Sequence, residues 1–315
     1  MNNGTVIKST GKYYTIRTDE DGSLYSATIR GKFKLEGFKL TNPVGVGDKV
    51  KFTVQKDGSA VIEKIEVRTN YVVRQSPRKK HYLHLLASNI DQAILIVTIV
   101  EPMLKQGFID RFLLMTEPYN IPVHIVFNKS DLYGENEQNL YLYLKEIYES
   151  IGYSVQLTST VTGAGIEELK NVMDKKLSLL SGQSGVGKSS LINSIDPNLD
   201  LRTNSLSGHS GKGQHTTTFA EMHEIGSGTF IIDTPGIKTL GFNHLEVMDA
   251  AHNFREIFEV SKDCKYGDCT HRNEPSCAVK VAIENEEISE LRYFNYIQIL
   301  DEIENQNYWE RIKDY

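Results

Sequence analysis

The stretch LSLLSGQSGVGKSSLIN at residues 177–193 constrains the fold of this chain more than any other feature of its sequence. An apolar run leads into a glycine-rich turn of the form G-x-x-x-x-G-K-[ST], and an apolar helical pattern follows the turn. Glycines let consecutive backbone N–H groups curl around phosphate oxygens, and the positive end of the following helix adds to the attraction. The stretch predicts a strand, a phosphate-binding loop and a helix, which together form one unit of an α/β domain.

Residues 85–242 repeat this alternation of strand and helix. Continuous apolar runs, as expected for parallel strands buried on both faces, occupy 92–100, 123–128, 154–159, 177–181 and 229–234. Helical spacing places one set of side chains on a shared face in each of three segments: Ile109, Phe112, Leu113 and Thr116; Leu140, Leu144, Ile147 and Ile151; and Ile166, Leu169 and Met173. We predict a doubly wound α/β domain over 85–242.

Two different regions precede this domain. Residues 1–69 contain about five short alternating runs separated by glycine and Asn-Pro turns, which predicts a small closed barrel of the oligonucleotide-binding (OB) type. Another small barrel without a ligand is the alternative. Residues 70–84 include the basic segment RQSPRKKHYLH, which we interpret either as a solvated linker or as a contact for a phosphate backbone.

The region from 243 to 315 carries all three cysteines and then a helical tail. In the tail, apolar residues recur every three positions at Ile288, Leu291, Phe294, Ile297 and Leu300. We interpret this stripe as core packing rather than as a binding face.

The glycine-rich turn predicts the residues that bind phosphate. Lys188 would reach the β and γ phosphates, and the Ser189 hydroxyl would bind magnesium. After a later apolar run, DTPG at 233–236 places Asp233 where it can hold magnesium through water and Gly236 where its N–H can contact the γ-phosphate. The full phosphate set is Gly182, Gln183, Ser184, Gly185, Val186, Gly187, Lys188, Ser189 and Ser190.

The sequence NKSD at 128–131 predicts the base site. Asp131 can accept hydrogen bonds from N1–H and the amine of guanine, and adenine offers neither donor, so the carboxylate selects guanine. Asn128 can bind the opposite base edge and tie the loop to its neighbours, while the stem of Lys129 packs over the base beside Ser130. After the next apolar run, Ser159 and Thr160 can close the base pocket with backbone N–H groups; an ordinary strand-to-helix loop is the alternative.

These motifs stand in an unusual order. GTPases usually carry the phosphate loop first and the base motifs last, whereas here the base motif precedes the phosphate loop and DTPG follows it. Joining the original chain ends and opening the chain in an exposed loop gives this order and keeps the pocket. We therefore predict a circularly permuted nucleotide-binding domain.

The polar, glycine-rich segment 202–218 lies between the phosphate loop and DTPG, where a switch segment is expected. One of Thr216, Thr217 and Thr218 is expected to bind magnesium, and we take Thr217 as the candidate. The position that often holds a water-orienting glutamine is Ile237. His215 is the candidate for that role, and a solvated loop histidine is the alternative.

The cysteine cluster has the spacing C-x4-C-x-H-x5-C. Cys264, Cys269, His271 and Cys277 supply three thiolates and one imidazole, which complete the tetrahedral coordination of a structural zinc ion. Free thiols beside a surface histidine are the alternative.

Together, NKSD, GQSGVGKSSLIN, GQHTTT, DTPG and the cysteine cluster resemble the ribosome small-subunit-dependent GTPase A (RsgA) family over nearly the whole chain. The resemblance implies an OB-type barrel, a permuted GTPase domain and a C-terminal zinc-binding helical domain. It also implies hydrolysis of GTP to GDP stimulated by the small ribosomal subunit, a role in late maturation of that subunit, contacts with its rRNA, and magnesium and one zinc ion as cofactors.

Composition sets limits on this interpretation. The net charge of −6 argues against a uniformly basic coat, so rRNA binding would depend on local patches. The sequence contains no apolar run long enough to span a membrane and no pattern of a secretion signal, so we expect a cytoplasmic protein without membrane contact. We also expect a monomer. Two other functions stay open: a nucleic-acid-binding module in which GTP only stabilises the structure, and an ATPase, which Asn128 and Asp131 oppose.

Overall fold

The computed structural model describes residues 1–30, 40–75, 82–199, 220–233 and 245–311. The first five strands are β1 (Asn2–Ser9), β2 (Tyr14–Thr18), β3 (Leu24–Ile29), β4 (Lys49–Val54) and β5 (Ala60–Ile65). They pair in the order β1-β2-β3-β5-β4, and β4 pairs with β1 to close a barrel. Alternate side chains point inward, and Val6, Ile16, Phe52 and Ile62 are completely buried in its core.

The segment predicted as a linker, 70–84, instead contains regular structure. Strands β6 (Tyr71–Gln75) and β7 (Leu83–Ser88) form an antiparallel pair beside the barrel. Val72 and Leu85 from the two strands are buried, so apolar side chains stabilise the pair on both sides of the basic segment. Pro77 and most of the basic residues lie outside the described residues.

The α/β domain contains β8 (Gln92–Val97), β9 (Val123–Phe127), β10 (Ser154–Leu157), β11 (Leu177–Gly182), β12 (Glu221–Glu224) and β13 (Phe230–Asp233). The strand order is β10-β9-β8-β11-β13-β12, and all neighbours are parallel except β12. Helices α1 (Phe108–Thr116) and α2 (Glu135–Ser150) cover one face, and α3 (Ile166–Met173) and α4 (Lys188–Ile195) cover the other. Short 3-10 turns lie at Glu117–Tyr119, Ser130–Leu132 and Pro197–Leu199.

The barrel and the α/β domain share one sheet. β12 pairs antiparallel with β1, which joins the two sets of strands into an eleven-stranded sheet. The register is a single pair, Lys8 with Glu221. The junction is narrow, but it connects the barrel directly to the strands beside the phosphate loop.

The C-terminal region is helical, with α5 (Val247–Asn253), α6 (Arg255–Ser261), α7 (Ala278–Glu284) and α8 (Glu290–Arg311). Helix α8 packs against α1 and α5 and carries the buried side chains Arg292, Asn295, Tyr296, Ile299, Leu300 and Ile303. The predicted stripe is therefore wrong in part, since Phe294 is 52% exposed. A repeat of three residues rotates by about 60° per step around an α-helix, so it cannot stay on one face.

Helix α2 also buries a slightly different face from the one predicted. Tyr141 and Tyr148 pack into the core with Leu144, whereas Leu140 is exposed. The tyrosine rings provide a large apolar surface, which a pattern of aliphatic residues alone does not reveal.

Candidate nucleotide-binding site and metal centre

The predicted phosphate loop connects β11 to α4 at the carboxyl end of the sheet. Gly185 and Gly187 have left-handed φ angles of 86° and 90°, and Val186 between them is buried. Ser184 and Gly185 are exposed at the tip of the loop. The loop therefore presents its backbone to solvent just before the N-terminus of α4, which is the arrangement that binds anions.

Two glycines of this loop have no space for a side chain. A Cβ atom at Gly182 would lie 2.2 Å from the carbonyl oxygen of Ile96, and one at Gly187 would lie 2.5 Å from Asn128 Nδ2. Close approach of the neighbouring strand and of the base loop explains why glycine occupies both positions.

Lys188 lies against the loop that it follows. Its Nζ donates hydrogen bonds to the carbonyl oxygens of Gly182 and Gln183 at 2.9 and 3.0 Å. Burial lowers the pKa of Lys188, and the nearby carboxylate of Asp233 opposes this shift. The structure thus holds a partly desolvated ammonium group where phosphate oxygens are expected, and attraction to phosphate is strong in such surroundings.

The predicted magnesium residues lie at the same edge of the sheet. Asp233 ends β13, and its backbone pairs in register with Leu180 of β11. Ser189 and Ser190 are partly buried in the first turn of α4. The remaining candidates for this side of the site, His215, Thr217 and Gly236, lie outside the described residues, and their roles stay predictions.

Asn128 connects the base loop to the phosphate loop. It is buried at the end of β9, and its Nδ2 donates to the carbonyl oxygen of Val186 at 2.9 Å. Its Oδ1 accepts a hydrogen bond from the Thr158 hydroxyl at 3.0 Å. One amide therefore fixes the positions of three loops, and Thr158 is a residue that the sequence analysis missed although it directly precedes Ser159.

Asp131 lies next to Ser159, and the contact is made by the serine side chain rather than by the backbone N–H that the sequence analysis considered. The Ser159 hydroxyl donates to Asp131 Oδ1 at 2.5 Å, and the backbone N–H of Ser130 donates to the carbonyl oxygen of Thr158 at 3.1 Å. Ser159 is completely buried, Thr160 beside it is half-buried, and Asp131 is exposed. A carboxylate has about four acceptor sites on its two oxygens, and this bond uses one of them, so Asp131 can accept further hydrogen bonds from a base.

Lys129 bridges the base loop to the segment that follows β8. Lys129 has a left-handed φ of 63°, and its Nζ donates to the carbonyl oxygen of Glu101 at 2.5 Å. Tyr133 strengthens this link, because its hydroxyl donates to the carbonyl oxygen of Asn128 at 3.0 Å and accepts from the N–H of Ile99 at 3.2 Å. No motif in the sequence indicated Tyr133 or Glu101.

The four predicted zinc ligands also meet in space. The ligand atoms of Cys264, Cys269, His271 and Cys277 all lie within 4.8 Å of one another. Cys264 Sγ lies 3.6 Å from His271 Nδ1 and 3.9 Å from Cys277 Sγ, and Cys277 Sγ lies 3.5 Å from His271 Nδ1. A tetrahedral zinc site with bonds of about 2.0–2.3 Å requires edges of about 3.5–3.8 Å, so the donor set and its spacing fit zinc.

Glu274 organises the loop that holds these ligands, and the sequence analysis did not find it. Its carboxylate accepts hydrogen bonds from the backbone N–H groups of Thr270, Arg272 and Asn273 and from the Thr270 hydroxyl, at 2.6–3.0 Å. Burial favours the neutral acid, but these hydrogen bonds outweigh it and lower the pKa of Glu274 to about 2. The carboxylate is thus ionised whenever the metal ligands are able to bind.

Comparison with known proteins shows that family models match most of this chain, including the nucleotide-binding site. The model of the RsgA N-terminal domain matches residues 3–62, and the model of the RsgA GTPase matches residues 65–243. The small ribosomal subunit biogenesis GTPase RsgA 2 of Bacteroides thetaiotaomicron is 46% identical over 305 residues, which cover 97% of this chain and 98% of that protein.

Two solved structures have the same architecture. YjeQ from Thermotoga maritima is 36% identical with a TM-score of 0.76, covering 96% of this chain and 98% of its own. YloQ, a circularly permuted GTPase, is 28% identical with a TM-score of 0.72, covering 97% and 96%. The predicted fold class is confirmed: an OB-like barrel, a permuted α/β domain and a C-terminal region with a Cys3His cluster. Within the described ranges, no helix has the length and apolarity needed to span a membrane.

Proposed function

The chain belongs to the RsgA GTPase family, and from this membership we propose how its sites carry out the family's activity. It is a GTP-hydrolysing enzyme of small ribosomal subunit biogenesis. The finer proposal is that it acts late in maturation of the subunit, in the cytoplasm, as a monomer without membrane contact, and that binding to the subunit stimulates hydrolysis.

One observation carries the assignment of the nucleotide site. Asn128 joins the loop that would read the base to the loop that would bind the phosphates, through its hydrogen bond to Val186. Because a guanine nucleotide must contact both loops at once, a fixed distance between them makes base recognition a condition for correct placement of the phosphates.

The individual roles follow from the chemistry of each side chain. Asp131, held by Ser159, accepts the two donors of guanine, and Lys129 packs its stem over the base. The backbone N–H groups of 182–190 and the Lys188 ammonium bind phosphate oxygens and stabilise the negative charge that develops during phosphoryl transfer. Ser189 and Asp233 would hold magnesium, which when bound supplies neutralising charge between the phosphates.

The zinc centre has a structural role in this proposal. Three thiolates and one imidazole leave no open coordination position, so zinc there stabilises the fold and does not take part in hydrolysis. Cys269, His271 and Cys277 are buried, which agrees with a closed site.

Aromatic and basic side chains on the surface of the C-terminal region support contact with rRNA. Phe258 and Tyr266 are 39% and 40% exposed, and the ammonium groups of Lys262 and Lys265 lie 5.5 and 5.3 Å from the centres of their rings. Exposed rings beside cations suit the stacking of unpaired bases next to a phosphate backbone.

Phosphate release from GTP, measured with and without purified small ribosomal subunits, tests the proposal, with ATP in place of GTP as a control. We expect slow release from GTP alone, strong stimulation by the subunits, and no release from ATP. Lys188→Ala should abolish release under all conditions. Tight GTP binding without release in the presence of subunits would instead favour the nucleic-acid-binding module, in which the nucleotide only stabilises the structure.

A further inference from the structure

The junction between the barrel and the α/β domain lies close to the magnesium side of the nucleotide site. Lys8 of β1 pairs with Glu221 of β12, Glu221 pairs with Asp233 of β13, and Asp233 pairs with Leu180 of β11. These residues form one row across the sheet. Since neighbouring strands lie about 4.8 Å apart, the barrel strand is only about 10 Å from the backbone of Asp233.

Barrel side chains hold both ends of β12. At its start, Lys8 Nζ lies 2.8 Å from Glu221 Oε2. At its end, Arg17 Nη1 lies 3.0 Å from Glu224 Oε2, and the Arg17 guanidinium also stacks over the ring of Phe230 at 4.6 Å. Arg17 therefore contacts the last residue of β12 and the first residue of β13.

These contacts affect the position of β12 more than the overall stability of the protein. The four charged side chains are between 34% and 48% exposed, and ion pairs in such surroundings contribute little to the free energy of unfolding. The ladder with β13 sets the direction of β12, but the backbone register between β12 and the barrel is a single pair, so the ion pairs and the Arg17 stack are the contacts that hold β12 against the barrel.

We propose that Lys8 and Arg17 of the barrel are positioning residues for GTP hydrolysis, which act through Glu221 and Glu224 to hold Asp233 in place at the magnesium site. A partner that binds the barrel can then change the rate of hydrolysis by shifting β12. This inference rests on the proposed function, because it concerns the placement of a residue within that nucleotide site.

Charge reversal with rescue tests the proposal. We expect Lys8→Glu, Glu221→Lys, Arg17→Glu and Glu224→Arg each to lower the turnover of GTP about fivefold and to raise the magnesium concentration needed for half-maximal turnover by a similar factor. The affinity for GDP without magnesium should not change, because the base and phosphate loops stay intact. The double variants Lys8→Glu with Glu221→Lys, and Arg17→Glu with Glu224→Arg, should recover both properties.

Arg30→Glu is the matched control, since Arg30 pairs with Glu63 within the barrel, away from β12. It should retain wild-type turnover, and thermal unfolding should show that all variants are folded. Single reversals that keep wild-type turnover and magnesium dependence would overturn the proposal, as would double variants no better than the singles.

Magnesium-dependent binding of a non-hydrolysable GTP analogue to the same variants keeps the two proposals separate. If the wild-type protein binds the analogue but does not hydrolyse GTP, the proposed function fails. The inference about β12 is then decided by whether charge reversal shifts the magnesium dependence of analogue binding and whether the double variants restore it.

Discussion

Arg292 of α8 and Asp110 of α1 form an ion pair that is almost completely inaccessible to solvent, with 2.6 Å between Arg292 Nη1 and Asp110 Oδ1. Arg292 also binds both carboxylate oxygens of Glu256 in α6, at 2.7 and 3.0 Å. Asp110 accepts further hydrogen bonds from Tyr148 and Asn295. A single arginine thus provides the counter-charge that two buried carboxylates share, and it attaches the C-terminal helices to the nucleotide-binding domain.

Replacement of Arg292 should therefore destabilise the folded protein. We expect Arg292→Met to lower the free energy of unfolding by about 3–5 kcal/mol, because it leaves buried carboxylates without a counter-charge. Arg111→Met is the matched control: Arg111 pairs with Glu302 across the same two helices, but both side chains are partly exposed, so the loss should stay below about 1 kcal/mol. Urea unfolding measures both values, and equal losses would contradict this account.

Replacing one oxygen of the Asp131 carboxylate with an amide nitrogen should change which base the protein prefers. Asp131→Asn replaces an acceptor with a donor, so two charge-assisted hydrogen bonds to guanine are lost and GDP affinity should fall roughly a hundred- to ten-thousandfold. Xanthosine diphosphate carries an oxygen in place of the guanine amine and should bind the variant better than GDP does. Titration with fluorescent nucleotides measures both, and Asp174→Asn, an exposed carboxylate beyond α3, should behave as wild type. Unchanged GDP affinity in Asp131→Asn would refute the assignment of the base site.

Gly187→Ala should abolish nucleotide binding through a clash rather than through backbone strain alone. The added methyl group would lie 2.5 Å from Asn128 Nδ2 and would push the base loop away from the phosphate loop. Gly58→Ala is the control, since Gly58 has a similar φ of 83° but open space around its Cβ position. It should cost about 1–2 kcal/mol of stability and leave nucleotide affinity intact. Calorimetric titration with GDP distinguishes the two variants.

Zinc binding should depend on Glu274 as well as on the four ligands. Glu274→Gln loses the charge that accepts the hydrogen bonds of the ligand loop, so we expect a 10–100-fold loss of zinc affinity, the order found when partners of metal ligands are removed. Competition with a chromogenic chelator measures the affinity, and metal analysis should give one zinc ion per wild-type chain. Glu284→Gln alters an exposed carboxylate and serves as the control. A wild-type affinity in Glu274→Gln would show that the loop is held by other contacts.

Contiguous motifs explain why much of the site was predictable. The loop 182–189, NKSD and the cluster 264–277 each combine residue types and spacings that are required by one ligand, and neighbouring residues determine most of their local geometry. Parallel strands then bring the loops to one edge of the sheet, so the order of motifs was sufficient to predict a permuted domain.

Contacts between residues far apart in the chain were not predictable in this way. Nothing near Lys8 indicates that it pairs with Glu221, and nothing near Asp110 indicates Arg292, because isolated charged residues are usually solvated. The stripe at 288–300 was wrong at Phe294 for a different reason. A spacing of three residues rotates around the helix, so it placed Phe294 in the core and passed over Arg292 and Tyr296, which are buried.

The pairing of β12 with β1 also has a consequence for synthesis of the chain. Among the described strands, only β1, β6 and β8 have no partner made before them; every other strand pairs with at least one that is closer to the N-terminus. Strand β12 meets this condition only through β1, since its other neighbour, β13, is made later. The described part of the sheet can therefore grow in the order in which the chain leaves the ribosome, because each strand other than β1, β6 and β8 finds one of its partners already made.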